Sequence, residues 1–219
     1  MWTKREKFTL WSALSLLGAV GLGGAGSLHS AAEHPTAPGA CVPVPAGTED
    51  SMRVALEATR GELAVVRLQF ERADAIMGYS MQYRITTDLT AAIYDAALAE
   101  GVEPALAFSL VKTESNFNAA ASSPAGAVGY TQILLSTARL YEPGLTRRQL
   151  FNRSTNLRLG LRYLRDLLER FEGNTGRQLE LALLAYNRGP AKVQELLDAG
   201  RNPQNGYSTT VMKSYRRKG

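Results

Sequence analysis

Ser154-Thr155-Asn156-Leu157-Arg158-Leu159-Gly160-Leu161-Arg162-Tyr163-Leu164-Arg165-Asp166-Leu167-Leu168-Glu169-Arg170-Phe171 is the stretch that decides the fold class. Leu157, Leu161, Leu164, Leu168 and Phe171 recur at steps of three and four, which stacks them on one face of an α-helix. The opposite face carries Arg162 with Asp166 and Arg165 with Glu169 at ion-pairing helical spacing. Ser154 or Asn156 can cap the start. Downstream, residues 179–186, Leu-Glu-Leu-Ala-Leu-Leu-Ala-Tyr, are apolar nearly all round, the composition of a helix buried at a domain's centre. Pro190 then opens another helix that Gly200 closes.

Upstream, Pro104 stands at the favoured first position of a helix that runs to about Ser115. Before it, Asp88 is a candidate N-cap for a helix with Ile93 and Ala97 on one face and Gly101 at its end. Residues 116–128 hold Asn116, Asn118, Ser122, Ser123, Pro124 and Gly126, a loop composition, and helical character resumes from Gly129 to Tyr141. No segment sustains strand alternation. The expected class is therefore all-α.

Leu56, Thr59, Leu63, Val66, Phe70, Ala73 and Met77 form a heptad seam of about three repeats before Gly78 to Thr87 break the pattern. The simpler reading is an amphipathic helix folded onto its own domain, and the alternative is a self-associating coiled coil. Residues 33–48 are rich in Pro, Ala and Gly and read as a flexible linker. Lys4, Arg5 and Lys7 precede the uncharged run from Phe8 to Leu28, followed by Ser30, Ala31 and Ala32, the order of a secretory signal. Cleavage near Ala32 and retention as a membrane anchor both remain open, the glycines between Gly18 and Gly24 favouring cleavage. The chain thus divides into a signal (1–32), a linker (33–48), an acidic amphipathic or coiled-coil helix (49–87) and an all-helical domain (88–219). Its expected location is the periplasm, the cell envelope or outside the cell, with an inner-membrane anchor if the signal is kept.

In 219 residues the net charge is +5, but it is unevenly spread. Residues 49–103 hold five Arg against ten acids, whereas residues 104–192 hold twelve Lys or Arg against six. A basic domain attracts polyanions of any kind, cell-wall glycans included. Much of the excess is Arg dispersed over one helix face, so nucleic acid is not an expected partner.

The only histidines are His29 and His34, and the only cysteine is Cys41. Ser-His-Asp and Cys-His chemistry is thereby removed from the body of the chain, as is a His- or Cys-based zinc site, so no metal or cofactor is expected. Catalysis must rest on carboxylates, hydroxyls, amides or basic groups. Glu114 stands out because helical steps place it on the face of Ala107, Leu110 and Val111. Desolvation there would raise its pKa and suit it to donate a proton near neutrality, unless the side chain turns outward to solvent at the helix end. Glu142, Asp166, Glu169, Glu172 and Glu180 lack a comparable apolar setting, so a conventional glycosidase pair of carboxylates is not visible.

Glu114-Ser115-Asn116-Phe117-Asn118, then Ser123-Pro124-Ala125-Gly126-Ala127-Val128-Gly129-Tyr130-Thr131-Gln132, then Ala185-Tyr186-Asn187-Arg188-Gly189-Pro190 resemble the signature blocks of soluble, goose-lysozyme-like bacterial lytic transglycosylases. Leu150-Phe151 through Asn156-Leu157-Arg158 to Gly160-Leu161-Arg162-Tyr163-Leu164 resembles the same family between the second and third blocks. The match covers roughly Thr90 to Tyr215.

The resemblance implies a lysozyme-like all-α fold whose cleft binds peptidoglycan glycan strands. It implies that Glu114 protonates the glycosidic oxygen between N-acetylmuramic acid and N-acetylglucosamine. The same carboxylate then takes the proton of the muramic acid C6 hydroxyl as a 1,6-anhydro ring closes, so no second carboxylate is needed. It further implies that Tyr186 hydrogen-bonds the acid, that Gln132 and Asn187 line the sugar sites, and that Ser115 and Tyr130 contribute to substrate binding. The family usually reads Gly-Leu-Met-Gln where this chain has Gly129-Tyr130-Thr131-Gln132. A Glu-Thr-Arg-x-Tyr segment is replaced by Pro203-Gln204-Asn205-Gly206-Tyr207, which keeps only the Tyr. Two alternatives stand beside this reading: a water-using muramidase of the same fold, and a non-catalytic wall-binding or assembly protein. Residues 49–78 are the candidate docking segment for an envelope or secretion-machine partner.

Overall fold

The computed structural model describes residues 46–174 and 176–216, so the signal segment at 1–32 and residues 33–45 of the linker lie outside it. The chain divides into two compact units, residues 1–51 and 52–219. Of the first, the described part is the opening of helix α1 (Ala46–Tyr83), where the Ser51 hydroxyl donates to the Thr48 carbonyl at 3.0 Å.

In the second unit, α1 runs on through Gly78 to Tyr83, beyond the break expected there. After it come α2 (Thr87–Ala99), α3 (Pro104–Ser115), α4 (Leu135–Ala138), α5 (Arg147–Leu150), α6 (Arg153–Arg170), α7 (Gln178–Arg188), α8 (Pro190–Asp198) and α9 (Tyr207–Arg216). Among the described residues there is no named strand, and the class is all-α. None of the described helices is long and apolar enough to cross a membrane.

α6 is the spine. It packs against α2 on one side and α7 on the other, and α7 in turn contacts α8 and α9. Leu157, Leu161, Leu164 and Phe171 are buried as the spacing required, joined by Leu159 and Leu167, while Leu168 is half-buried. Its start differs from the expected one: Asn152 caps the helix, accepting from the Thr155 amide at 3.1 Å. The charged face also pairs differently, because Arg165 takes both Asp166 (2.7 Å) and Glu169 (3.5 Å) while Arg162 approaches Glu100 at 4.0 Å. Similarly, α2 is capped by Thr86 rather than Asp88, whose carboxylate pairs with Arg153.

α3 is buried at every residue from Ala105 to Val111 and packs against α2 and α9. Asn116 and Phe117, both at positive φ, end it abruptly. Core packing reaches back into the last turns of α1: the Tyr79 ring stacks on Phe108 at 4.2 Å, and Tyr83 does so at 5.4 Å.

Residues 129–134, expected to be helical, form a tight turn instead, with bridges from Val128 to Ser122 and to Ile133, and only α4 follows as helix. Asn156 imposes this. Its fully buried side chain accepts from the Thr131 amide (2.9 Å) and hydroxyl (3.0 Å) and donates to the Val128 (2.9 Å) and Leu150 (3.1 Å) carbonyls. A side chain at Gly129 would put its Cβ 2.4 Å from Asn156 Nδ2, and one at Gly160 would lie 2.2 Å from Thr131 Oγ1. Only glycine fits at either place, and Gly129 also sits at φ +77°.

Asn156→Ala leaves the Thr131 amide and two carbonyls without their partner in a dry interior, at about 1–3 kcal/mol each. We expect a total loss of about 3 kcal/mol or more in urea unfolding, read as a lower midpoint at unchanged slope. A change under about 1 kcal/mol would remove Asn156 from this structural role.

Candidate active site

Glu114 lies in the last turn of α3, and burial pushes its carboxyl up from 4.5 to about 7. The opposing influence is a hydrogen bond donated by the Tyr207 hydroxyl to Glu114 Oε1. Tyr207 is the first residue of α9, and the packing of α9 on α3 brings the two side chains together. Its own ionisation is driven far upward, by burial first and by the charge of Glu114 second, so the phenol stays a donor.

A cleft of about 250 Å³ opens on Glu114, lined by Ser123, Ala125 and Ala127 of the loop, Gln132 and Leu134 of the turn, and Tyr186 and Asn187 at the end of α7. Among the described residues, Glu114 is the only carboxylate in that lining. A larger hollow, about 480 Å³, lies between Glu180 and α9. Among its described lining residues the acid is Glu180, which pairs with Arg177 at 3.2 Å and accepts a hydrogen bond from Gln204 at 3.0 Å.

Four of the six residues assigned to the site from sequence meet in the cleft: Glu114, Gln132, Tyr186 and Asn187. Ser115 does not line it. Its hydroxyl donates back to the Val111 carbonyl at 3.2 Å, one helical turn earlier. Tyr130 does not line it either, and is buried in the core that holds Leu157 and Leu161. The turn explains the difference, since Gly129 and Gln132 both take positive φ, Tyr130 and Thr131 are buried, and Gln132 faces the cleft.

Tyr186 is also placed differently from its expected role. Its hydroxyl donates to the Thr131 carbonyl at 2.9 Å, and the hydrogen bond to Glu114 comes from Tyr207. Tyr186 still feels the acid: burial and then the charge of Glu114 raise its pKa well above the usual value. The tyrosine retained in the 203–207 stretch was the available signal for Tyr207, but no spacing rule links it to a carboxylate ninety-three positions away.

Two amides in the cleft are half committed. Gln132 Nε2 donates to the Gly129 carbonyl at 2.9 Å, leaving its side-chain oxygen to accept. Asn187 Oδ1 accepts from Asn205 Nδ2 at 2.8 Å, leaving its own amino group to donate. The Asn205 loop is itself held, because Arg188 donates to the Pro203 carbonyl (2.8 Å) and Gln204 Oε1 accepts from the amides of Asn205 and Gly206.

Residues 91–205, just over half of the chain, match the family model described as Transglycosylase SLT domain. The chain belongs to that family. Among solved structures, the lytic transglycosylase Slt from Pseudomonas aeruginosa, in an inactive mutant form, is similar at 28% identity and a TM-score of 0.50, over 58% of this chain and 24% of that one. The 70 kDa soluble lytic transglycosylase from Escherichia coli is similar at 24% identity and a TM-score of 0.49, over 61% of this chain and 24% of that one. The chain therefore spans about a quarter of the length of these two structures.

Two consequences of the transglycosylase SLT domain site are measurable. A folded value near 7 above an unfolded value near 4.5 means that the folded chain holds this proton more tightly, so stability falls as pH rises between the two. Glu114→Gln removes that dependence. Relative to wild type the variant gains stability with rising pH, by about 3 kcal/mol at most, and a wild-type minus variant difference that is flat from pH 4 to 8 would contradict the buried charge. Tyr207→Phe removes the one donor that lowers the Glu114 pKa, so carbon-13 titration of that carboxyl should move above about 7, whereas Tyr186→Phe should move it far less.

Proposed function

We propose that this chain is an exported peptidoglycan lytic transglycosylase that breaks the β-1,4 bond from N-acetylmuramic acid to N-acetylglucosamine and closes a 1,6-anhydro ring. The observation that carries the proposal is a single half-buried carboxyl, pushed by desolvation to about 7 and, among the described residues, the one acid lining its cleft. Family membership and the likeness to the Pseudomonas aeruginosa enzyme support it.

In this reading protonated Glu114 gives its proton to the glycosidic oxygen as the bond to C1 breaks. The positive charge developing at C1 is met by the substrate's own 2-acetamido group. The C6 hydroxyl of the same sugar then attacks C1 and returns its proton to Glu114, so the enzyme is restored and no water is consumed. One group serves as acid and then base because its pKa lies near the working pH. The Tyr207 hydrogen bond stabilises the carboxylate between the two steps. The free oxygen of Gln132 and the free amino group of Asn187 match the N–H and C=O of an N-acetyl group, which gives the amide-bearing sugars a preferred seat.

A hydrolase using two carboxyl groups needs the second about 5–9.5 Å from the first, and the described residues of the cleft lining include none. Products from purified sacculi should therefore end in anhydromuramic acid, one water lighter than reducing ends, when measured by mass spectrometry. Glu114→Gln should lower the rate by about two to four orders of magnitude with an unchanged circular dichroism spectrum. Products that are all reducing ends would instead identify a muramidase, and a fully active Glu114→Gln would remove the acid assignment.

A further inference from the structure

Every residue of α1 from Ser51 to Asp74 is exposed, Leu63 at 64% and Phe70 at 72% among them. Only from Ile76 onward does the helix bury side chains in the domain. A helix this long ordinarily takes most of its stability from an apolar face packed against something, whereas here the apolar side chains stay exposed and Arg72 reaches α2 through an exposed ion pair with Asp95. The seam Leu56, Thr59, Leu63, Val66, Phe70 and Ala73 keeps its three-four spacing throughout the exposed part, which overturns the simpler reading that the seam faces its own domain.

We propose that residues 52–74 of α1 pair in parallel with the same segment of a second copy of this chain, with that seam at the interface. The charges beside the seam select both partner and direction. With Leu56, Leu63 and Phe70 at the first core position of each heptad, Glu62 and Gln69 flank one side and Arg60, Arg67 and Asp74 the other. Parallel pairing sets Glu62 beside Arg67 of the second copy, five residues further on, and two-fold symmetry makes that contact twice. Gln69 meets Asp74 of the second copy in the same way. Antiparallel pairing with Leu63 opposite Val66 brings Arg60 against Arg67 of the second copy, also twice. Arg67 is free to choose: its present partner is Glu71 on the same helix, in a pair exposed to solvent on both sides. A membrane surface fits less well, because six acids and four Arg between Glu49 and Asp74 leave this segment net negative, the wrong sign for anionic headgroups.

The test reads the oligomeric state of the full chain and is independent of the cleft chemistry. Sedimentation equilibrium at micromolar concentrations should give a mass of two chains or more for wild type. The exposed-site double variant Leu63→Glu with Val66→Glu should weaken association about tenfold or more while the thermal unfolding of the domain stays unchanged. Glu62→Arg should weaken it too, and Glu62→Arg combined with Arg67→Glu should recover it by exchanging the charges. A monomeric wild type, a seam variant that associates as tightly as wild type, or a charge exchange that recovers nothing would overturn the proposal. So would binding to phosphatidylglycerol vesicles that the seam variant loses while wild type stays monomeric in solution, since that assigns the face to a membrane.

Discussion

The buried side chain of Asn156 holds the cleft in place. It lies in the first turn of the helix on which the domain is built, and its four hydrogen bonds reach the Thr131 amide and hydroxyl and the carbonyls of Val128 and Leu150. Through them the turn at 129–132 is fixed to α6, the Thr131 carbonyl is presented to Tyr186, and Gln132 is turned into the cleft. Each polar group involved is dry, so the arrangement is close to all or none: a partly satisfied buried network costs more than an apolar one. The close approach also dictates glycine at 129 and 160, the positions where a Cβ would collide with Asn156 and Thr131. Threonine at 131, where relatives by resemblance carry an apolar residue, is accommodated because Asn156 takes its hydroxyl and Gly160 leaves room for it.

The second constraint is electrostatic. α3 buries Ala105–Val111 in the core and carries Glu114 in its last turn, where no described cation pairs with the carboxyl, so desolvation dominates and raises its pKa to about 7. A cation beside Glu114 would favour the carboxylate and lower its pKa. What stands there instead is a phenol, which donates a hydrogen bond without adding charge. Stability is expected to fall as pH rises through this range, and in the proposed reading the proton held there is the one given to the glycosidic oxygen.

α1 combines two environments in one helix. Its last turns stack Tyr79 and Tyr83 on Phe108 and belong to the domain core, while the preceding turns display Leu63, Val66 and Phe70 to solvent. A glycine at 78 does not end the helix, since packing on both sides of it outweighs the roughly 1 kcal/mol that a mid-helix glycine costs.

Sequence by itself determined the helical class, because apolar spacing of three and four in Leu157–Phe171 matches the helical period and 179–186 is apolar nearly all round, as a central buried helix is. It also singled out Glu114, since a carboxylate in register with Ala107, Leu110 and Val111 is anomalous whatever the fold, and four of the six named site residues do share one cleft. The short-range rules failed where long-range contacts set the backbone. Helical composition at 129–134 yielded to the Asn156 network, and Tyr130 and Ser115 went to the core and to the helix's own carbonyl. Tyr207, rather than Tyr186, became the partner of Glu114 because the packing of α9 on α3 joins residues far apart in the chain. Local periodicity fixes which face of a helix is apolar, but which hydroxyl meets a given carboxylate depends on how the helices dock, and only the tertiary structure decides that.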